Sequence, residues 1–471
     1  MGCTQSVSET AVPVEDDKIT RVGVGQSERL YSSNLQRSKA NVSTVFNPDT
    51  QTIEEDDEES SDHLDSTGKL LPEEFDARTT CCTHTLSVTV GDTDKGHETS
   101  TIQYAYRTMR GFYPDKLKKP NQDSYTICMT LSGDLDDDPM FAVYDGHGEY
   151  GHDCAEYARK KLPKSITKYM KQKRAQLHMS KLKEEGKSTK GAWDPSAWPS
   201  LDEKTFEECC RLAMHETNNS LNKDEKVNSK LSGTTAATVC FHAGRMTVCN
   251  VGDSRVLLGH REEKDGESKL IALPLTRDQT PYRKDERDRV RKAGADVMTY
   301  DQLKGVESKH DNFGDLVLGE RIDIQGDPPR LWVPGKETPG TAFTRSLGDD
   351  VAEKIGVIAE PEMVTTSLCS HDEYLVIATD GIFEFLKNDQ VLKICEESSN
   401  PVDACEKLTR AACDQWLEHD SRTDDITVIV CFLSSSYQPE SGETGTTKDL
   451  HGNIHSIYGT GSNLSLEEAY K

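Results

Sequence analysis

Phe141-Ala142-Val143-Tyr144-Asp145-Gly146-His147-Gly148 places four residues of buried-strand character directly before an acid, an imidazole and two glycines. A short apolar run with aromatic and β-branched members suits the interior of a sheet. The turn after it suits a core poorly. It suits a hard metal ion and a proton donor better, because glycine lets the main chain approach a ligand and the Gly146 carbonyl can itself face an ion. Asp-Gly is also the commonest hairpin signal, so these eight residues alone leave an ordinary tight turn open.

Three further acids in the same context decide between the two readings. Asp253 follows Cys249-Asn250-Val251-Gly252, Asp380 follows Tyr374–Thr379 and precedes Gly381, and Asp424 precedes Asp425 and the apolar run Ile426–Val430. Each sits where a strongly apolar strand begins or ends. Carboxylates gathered at one end of a sheet repel one another and are costly unless compensated. A pair of divalent cations is the simplest compensation. Carboxylates, a carbonyl and water suit Mg²⁺ or Mn²⁺, whereas zinc would want Cys or His. Two such ions about 4 Å apart activate a water for attack on phosphorus, and His147, two residues beyond Asp145, is placed to protonate the leaving alkoxide.

Composition narrows the rest. Acidic residues number 82 against 56 basic ones, a net charge of −26, which argues against nucleic acid as a bulk-charge partner. A hydrophobic content of 34% points to substantial unpacked length. The 14 cysteines contain no C-x-x-C and read as reduced thiols rather than zinc ligands or a disulfide framework. Cys249 and Arg255 have the spacing of a tyrosine-phosphatase loop, but no His precedes the Cys and the segment reads strand-turn-strand, so Cys249 is expected in the core.

The organisation expected is an acidic tether over 1–75, a folded domain over 76–433 with its core from about 100, and a polar tail over 434–471. Strands are expected at Thr83–Val90, Ile102–Tyr106, Ser124–Leu131, Phe141–Tyr144, Ala236–Phe241, Met246–Val251, Val256–Leu258, Tyr374–Thr379 and Ile426–Phe432. Helices are expected over 150–185, with Ala155, Ala158, Leu162, Ile166 and Met170 on one face, and at Leu201–Asn222, 284–293, Asn388–Glu396 and Val402–Trp416. Residues 295–340 read as an irregular insertion, and its Gly305–Gly340 part as either a substrate flap or a packed loop. Runs of strands broken by helix pairs, without β-α-β alternation, give an α+β class with antiparallel sheet.

Asn121-Gln122-Asp123, Val143–Gly148, Ser232–Ala236, Asn250–Arg255, Thr344–Asp349, Ala378–Phe385 and Asp424–Val428 form an ordered set over roughly 100–433 that resembles the metal-dependent PP2C-type protein serine/threonine phosphatases, in particular plant and protist forms. The resemblance implies a β-sandwich flanked by helices (α-β-β-α) acting on phosphoserine and phosphothreonine in proteins. It implies that Asp145 bridges two Mg²⁺/Mn²⁺ ions, that the Gly146 carbonyl binds one and that Asp380 and Asp424 hold the other. Asp123 falls in the first acidic motif, behind Gln122 where many members carry Glu. Asp253 resembles a ligand of a weaker third ion, and Glu384 stands where that site usually has Asp. For the phosphate-binding cation two candidates stay open, Arg110 across an insertion and the Lys118–Lys119 pair; Arg110 is favoured, since arginine grips phosphate with a fork and lysine as a point charge. Gln122 and Glu384 also suit a catalytically silent phosphoprotein-binding scaffold, against which stand Asp145, His147, Asp380 and Asp424.

At the amino terminus, Met1-Gly2-Cys3-Thr4-Gln5-Ser6 fits the N-myristoylation pattern, with Gly2 as acceptor and Cys3 placed for palmitoylation. The expectation is a peripheral protein at the cytoplasmic face of a membrane, with a cytosolic pool.

Overall fold

A computed structural model describes residues 69–70, 79–90, 98–131, 138–189, 198–264, 266–313, 317–322 and 326–435. Gly2 and Cys3, the residues expected to be acylated, nearly all of the expected tether, and the tail after 435 lie outside them. Eleven strands carry the two large sheets: β1 (Thr79–Val90), β2 (Glu98–Met109), β3 (Ser124–Cys128), β4 (Met140–Tyr144), β5 (Ala236–His242), β6 (Arg245–Val251), β7 (Arg255–Lys264), β8 (Glu267–Pro274), β9 (Glu362–Thr366), β10 (Asp372–Ala378) and β11 (Ile426–Ser435). One sheet has the order β1-β2-β11-β10-β7-β8 and the other β9-β6-β5-β4-β3. The pairings within both are antiparallel.

The apolar runs are continuous because both faces of these strands are covered. In β10, Leu375 and Ile377 join Phe141, Val143, Val239, Val248 and Ile429 between the sheets. Their neighbours Val376 and Ala378 point the other way, toward the helices α4 (Asn388–Glu396) and α5 (Pro401–His419), where Leu392, Leu408 and Trp416 meet them. β4 alternates in the same manner: Ala142 and Tyr144 pack with Leu162, Ile166, Phe206 and Met214 from α1 (Gly151–Glu184) and α2 (Glu203–Leu221). The result is the expected α+β sandwich with helices on both outer faces.

Local signals set the helix ends. Asp202 caps α2 by accepting from the Thr205 amide at 2.8 Å. Asn400 caps α5, accepting from Val402 and Asp403, and Pro401 occupies the first turn, where its missing N–H costs nothing. Cys249 is a buried core residue of β6, as expected.

Three expectations need correction. β8 follows the Gly266 turn unforeseen, because its first three residues are exposed and give no alternation. β9 was also not foreseen. Residues 295–340 are not simply irregular: Asp296–Met298, Arg330–Trp332 and Pro339–Thr341 form a three-stranded sheet. Val297 and Leu331 pack there with Val290 from α3 (Lys284–Ala293) and with Ile355 and Val357. The packed-loop alternative thus describes its base.

Candidate active site

Four strand ends bring their acids together at one edge of the sandwich. The Asp145 turn follows β4, Asp253 lies between β6 and β7, Asp380 follows β10 and Asp424 precedes β11. A small ladder ties the turn in place: Gly146–His147 pairs with Gly233–Thr234, which pairs with Leu347–Gly348. This ladder demands glycine. A Cβ on Gly146 would stand 2.3 Å from the Gln122 carbonyl oxygen, and one on Gly233 would stand 2.2 Å from Asp349 Oδ2.

Asp145, Asp123, Asp253 and Asp380 interact with one another and are half-buried. Withdrawal from water, then the charges of Asp380 and Asp123, hold Asp145 well above the usual carboxylate range. Burial and then Asp425 raise Asp123. Burial, then Asp380 and Asp278, raise Asp253, with Glu384 contributing. Asp380 is pushed up to about 6 by burial and Asp424, with Asp145 and His147 pulling it back. The structure therefore brings together the expected Asp123, Asp145, Asp253, Asp380, Glu384 and Asp424.

The donor set fits hard divalent ions. It is all oxygen. Asp123 Oδ2 accepts from the Thr379 hydroxyl at 2.9 Å, while its buried Oδ1 has no hydrogen-bond partner. An orphaned anionic oxygen beside other carboxylates is a costly arrangement that a cation relieves.

His147 stands beside this cluster. Its Nε2 donates to Asp349 Oδ2 at 2.7 Å, and its ring rests on Phe343 with centroids 4.2 Å apart. Asp349 is buried, also accepts from Ser346 Oγ at 2.6 Å, and adopts a left-handed backbone conformation (φ 54°). Asp349 closes the Thr344–Asp349 motif, but nothing in the sequence alone points from it to His147.

Asp425 was missed as well. One of its oxygens accepts from the Gly111 amide at 2.6 Å and the other from the Gln122 amide at 2.9 Å, so it holds together the two ends of the 110–123 loop that carries both phosphate-binding candidates. Burial and Asp424 push it up to about 6. Its place beside Asp424 was the available signal. Gln122 has a bracing contact: its Nε2 donates to the Gly148 carbonyl at 2.6 Å.

The two candidate cations differ in attachment. Arg110 Nη1 donates to the Leu117 carbonyl at 2.9 Å. Lys119 Nζ donates to the Tyr113 hydroxyl at 2.8 Å and lies 3.8 Å from Asp425. The Tyr113 hydroxyl in turn donates to Asp424. The contacts thus tie Lys119, rather than the favoured Arg110, into the acidic cluster.

Residues 112–421 match the family model described as protein phosphatase 2C. The chain is 37% identical over 327 residues to a probable protein phosphatase 2C 35 of Arabidopsis thaliana, covering 69% of this chain and 82% of that one. It is 28% identical over 367 residues to a probable protein phosphatase 2C 73 of Oryza sativa subsp. japonica, covering 74% of this chain and 79% of the relative. Among solved structures, a serine-threonine phosphatase 2C from Toxoplasma gondii shares the fold with a TM-score of 0.53 at 18% identity, covering 75% of this chain and all of that one.

Proposed function

Because this chain belongs to the protein phosphatase 2C family of protein serine/threonine phosphatases, we propose that it removes phosphate from phosphoserine and phosphothreonine in proteins at the edge where Asp145 and His147 meet. Metal use, Mg²⁺ or Mn²⁺, is general to the family. Asp123, Asp145, the Gly146 carbonyl, Asp380 and Asp424 would hold two ions, and Asp253 with Glu384 a weaker third. When bound, such ions neutralise phosphate charge and lower the pKa of the attacking water. The single observation that carries this reading is the convergence of carboxylates at one place, where withdrawal from water first and the charges of neighbouring acids second raise Asp145 and Asp380.

The chain's own groups do the rest. Asp349 holds the His147 ring by Nε2. Nδ1 is then the nitrogen from which a proton passes to the seryl or threonyl oxygen as its bond to phosphorus breaks. Lys119 offers a point charge to the phosphate from beside Asp425, and Arg110 is the second candidate for that contact. Asp425 holds the ends of the 110–123 loop together, and Gln122 ties that loop to the Gly148 turn.

At the amino terminus, acylation of Gly2 and Cys3 would tether the protein to the cytoplasmic face of a membrane. One acyl chain binds marginally and two bind stably, so single acylation leaves a cytosolic pool. The Met1–Ser6 pattern supports this. Among the described residues no helix is long and apolar enough to cross a membrane.

The test of the catalytic reading is Asp145→Ala with a phosphothreonine peptide. Turnover should fall by at least about 100-fold, the scale of losing a principal source of transition-state charge stabilisation. Full activity would remove Asp145 from the mechanism.

A further inference from the structure

At the other end of the strand that delivers Asp380 lies a second cluster of a different chemistry. Asp372 opens β10 and faces His260 of β7 across the ladder, beside a register shift between Asp372 and Tyr374. The His260 Nδ1–H donates to Asp372 Oδ1 at 2.8 Å. The other oxygen of Asp372 accepts from the Cys369 amide at 2.7 Å, which curls the turn 369–372 back so that the thiol comes to the imidazole. Ligand-capable atoms of His260, Cys369 and Asp372 all lie within 4.8 Å of one another. His260 and Asp372 are buried and Cys369 is half-buried, which leaves an approach on one side. The exposed His371 ring stands 6.0 Å from that of His260, centroid to centroid.

We propose that His260, Cys369 and Asp372 form a second metal site, for a zinc-class ion bound by one nitrogen, one sulfur and one oxygen. Such an ion takes thiolate, imidazole and carboxylate in tetrahedral array at about 2.0–2.3 Å. The fourth position falls to water or to His371. The set differs in kind from the all-oxygen cluster around Asp145, which suits Mg²⁺ or Mn²⁺. The two places are well apart: β10 rises about 3.3 Å per residue between Asp372 and Ala378, two residues short of Asp380.

The loaded set is charge-balanced: a divalent ion with one thiolate, one carboxylate and a neutral imidazole sums to zero. A buried site balanced in this way avoids the penalty of an uncompensated buried ion. The bound ion clips the turn before β10 to β7, at the end of the sheet remote from the chemistry. The plainer reading is a His–Asp ion pair capping a turn, with the Cys369 thiol hydrogen-bonded to the imidazole; zinc-class binding is what distinguishes the two.

The test is a Co²⁺ titration of the full chain in excess Mg²⁺, which occupies the all-oxygen sites. One equivalent should give tetrahedral ligand-field bands with a thiolate-to-cobalt charge-transfer band. Cys369→Ser should lose the charge-transfer band and Asp380→Asn should keep it. No charge-transfer band, or one that survives in Cys369→Ser, overturns the proposal. A second measurement needs no variant. With zinc added, Cys369 should resist alkylation by iodoacetamide, read by peptide mass spectrometry; equal labelling with and without zinc is the contrary result.

Discussion

His147 and Asp349, 202 residues apart in the chain, meet with 2.7 Å between Nε2 and Oδ2 because a three-stranded ladder of two-residue strands stitches their turns together. The pairing fixes which imidazole nitrogen faces the carboxylate and holds the ring beside the acidic cluster. If His147 protonates the leaving oxygen, its loss must matter most where the leaving group is a poor one. His147→Ala should reduce kcat on a phosphoserine peptide by about 100-fold or more, within the usual range for general acid catalysis, and reduce it far less on an aryl phosphate. Equal losses on both substrates would assign His147 to binding. Asp349→Asn should show the same leaving-group dependence in weaker form, with the melting temperature recorded to separate positioning from folding.

The acidic cluster should make the ion-free protein sensitive to pH in a definite direction. Asp380 titrates near 6 in the fold against about 3.9 in an unfolded chain. A raised pKa means that the folded form binds the proton more tightly, so this group costs stability only once it ionises. The cost is absent below about pH 4, grows between 4 and 6, and is complete above the folded-state value. In chelator, Asp380→Asn should therefore raise the melting temperature more at pH 7.5 than at pH 4.5. Differential scanning fluorimetry at the two pH values measures it; an equal shift at both would contradict the sign.

Lys119 and Arg110 separate by their contacts. Lys119 touches Tyr113 and lies near Asp425, whereas Arg110 is engaged by the Leu117 carbonyl. Lys119→Ala should raise KM for a phosphopeptide by about 10-fold, on the order of one charge-assisted contact. Arg110→Ala should change it less. Steady-state kinetics of the two variants decide the matter, and the reverse order would return the phosphate contact to Arg110.

Gly2→Ala should move the protein from membrane to soluble fractions on cell fractionation, and Cys3→Ser should do so partially. An unchanged distribution for Gly2→Ala would remove acylation from the account.

Much of this was legible in the residues, for a physical reason. Strands buried on both faces write unbroken apolar runs, so Phe141–Tyr144, Tyr374–Ala378 and Ile426–Phe432 stand out, and an acid at the end of such a run is conspicuous. What was not legible depends on contacts that leave no periodic trace. Asp349 reaches His147 through strands of two residues, shorter than any pattern can register. The sheet inside 295–340 is built from three-residue pieces around Leu331 and Trp332. Asp425 reads like Asp424 in sequence, yet it turns its oxygens to the Gly111 and Gln122 amides. For the phosphate contact, Arg110 and Lys119 differ in surroundings that the residues alone do not reveal: Arg110 Nη1 donates to the Leu117 carbonyl, and Lys119 lies beside Tyr113 and Asp425.

The most direct measurement is phosphate release from a phosphothreonine peptide by the full chain, stripped of metal and then titrated with Mn²⁺. The account predicts no turnover above background in chelator, and saturable activity on adding the ion that Asp145→Ala does not recover. Turnover that proceeds at the same rate in excess chelator would contradict it.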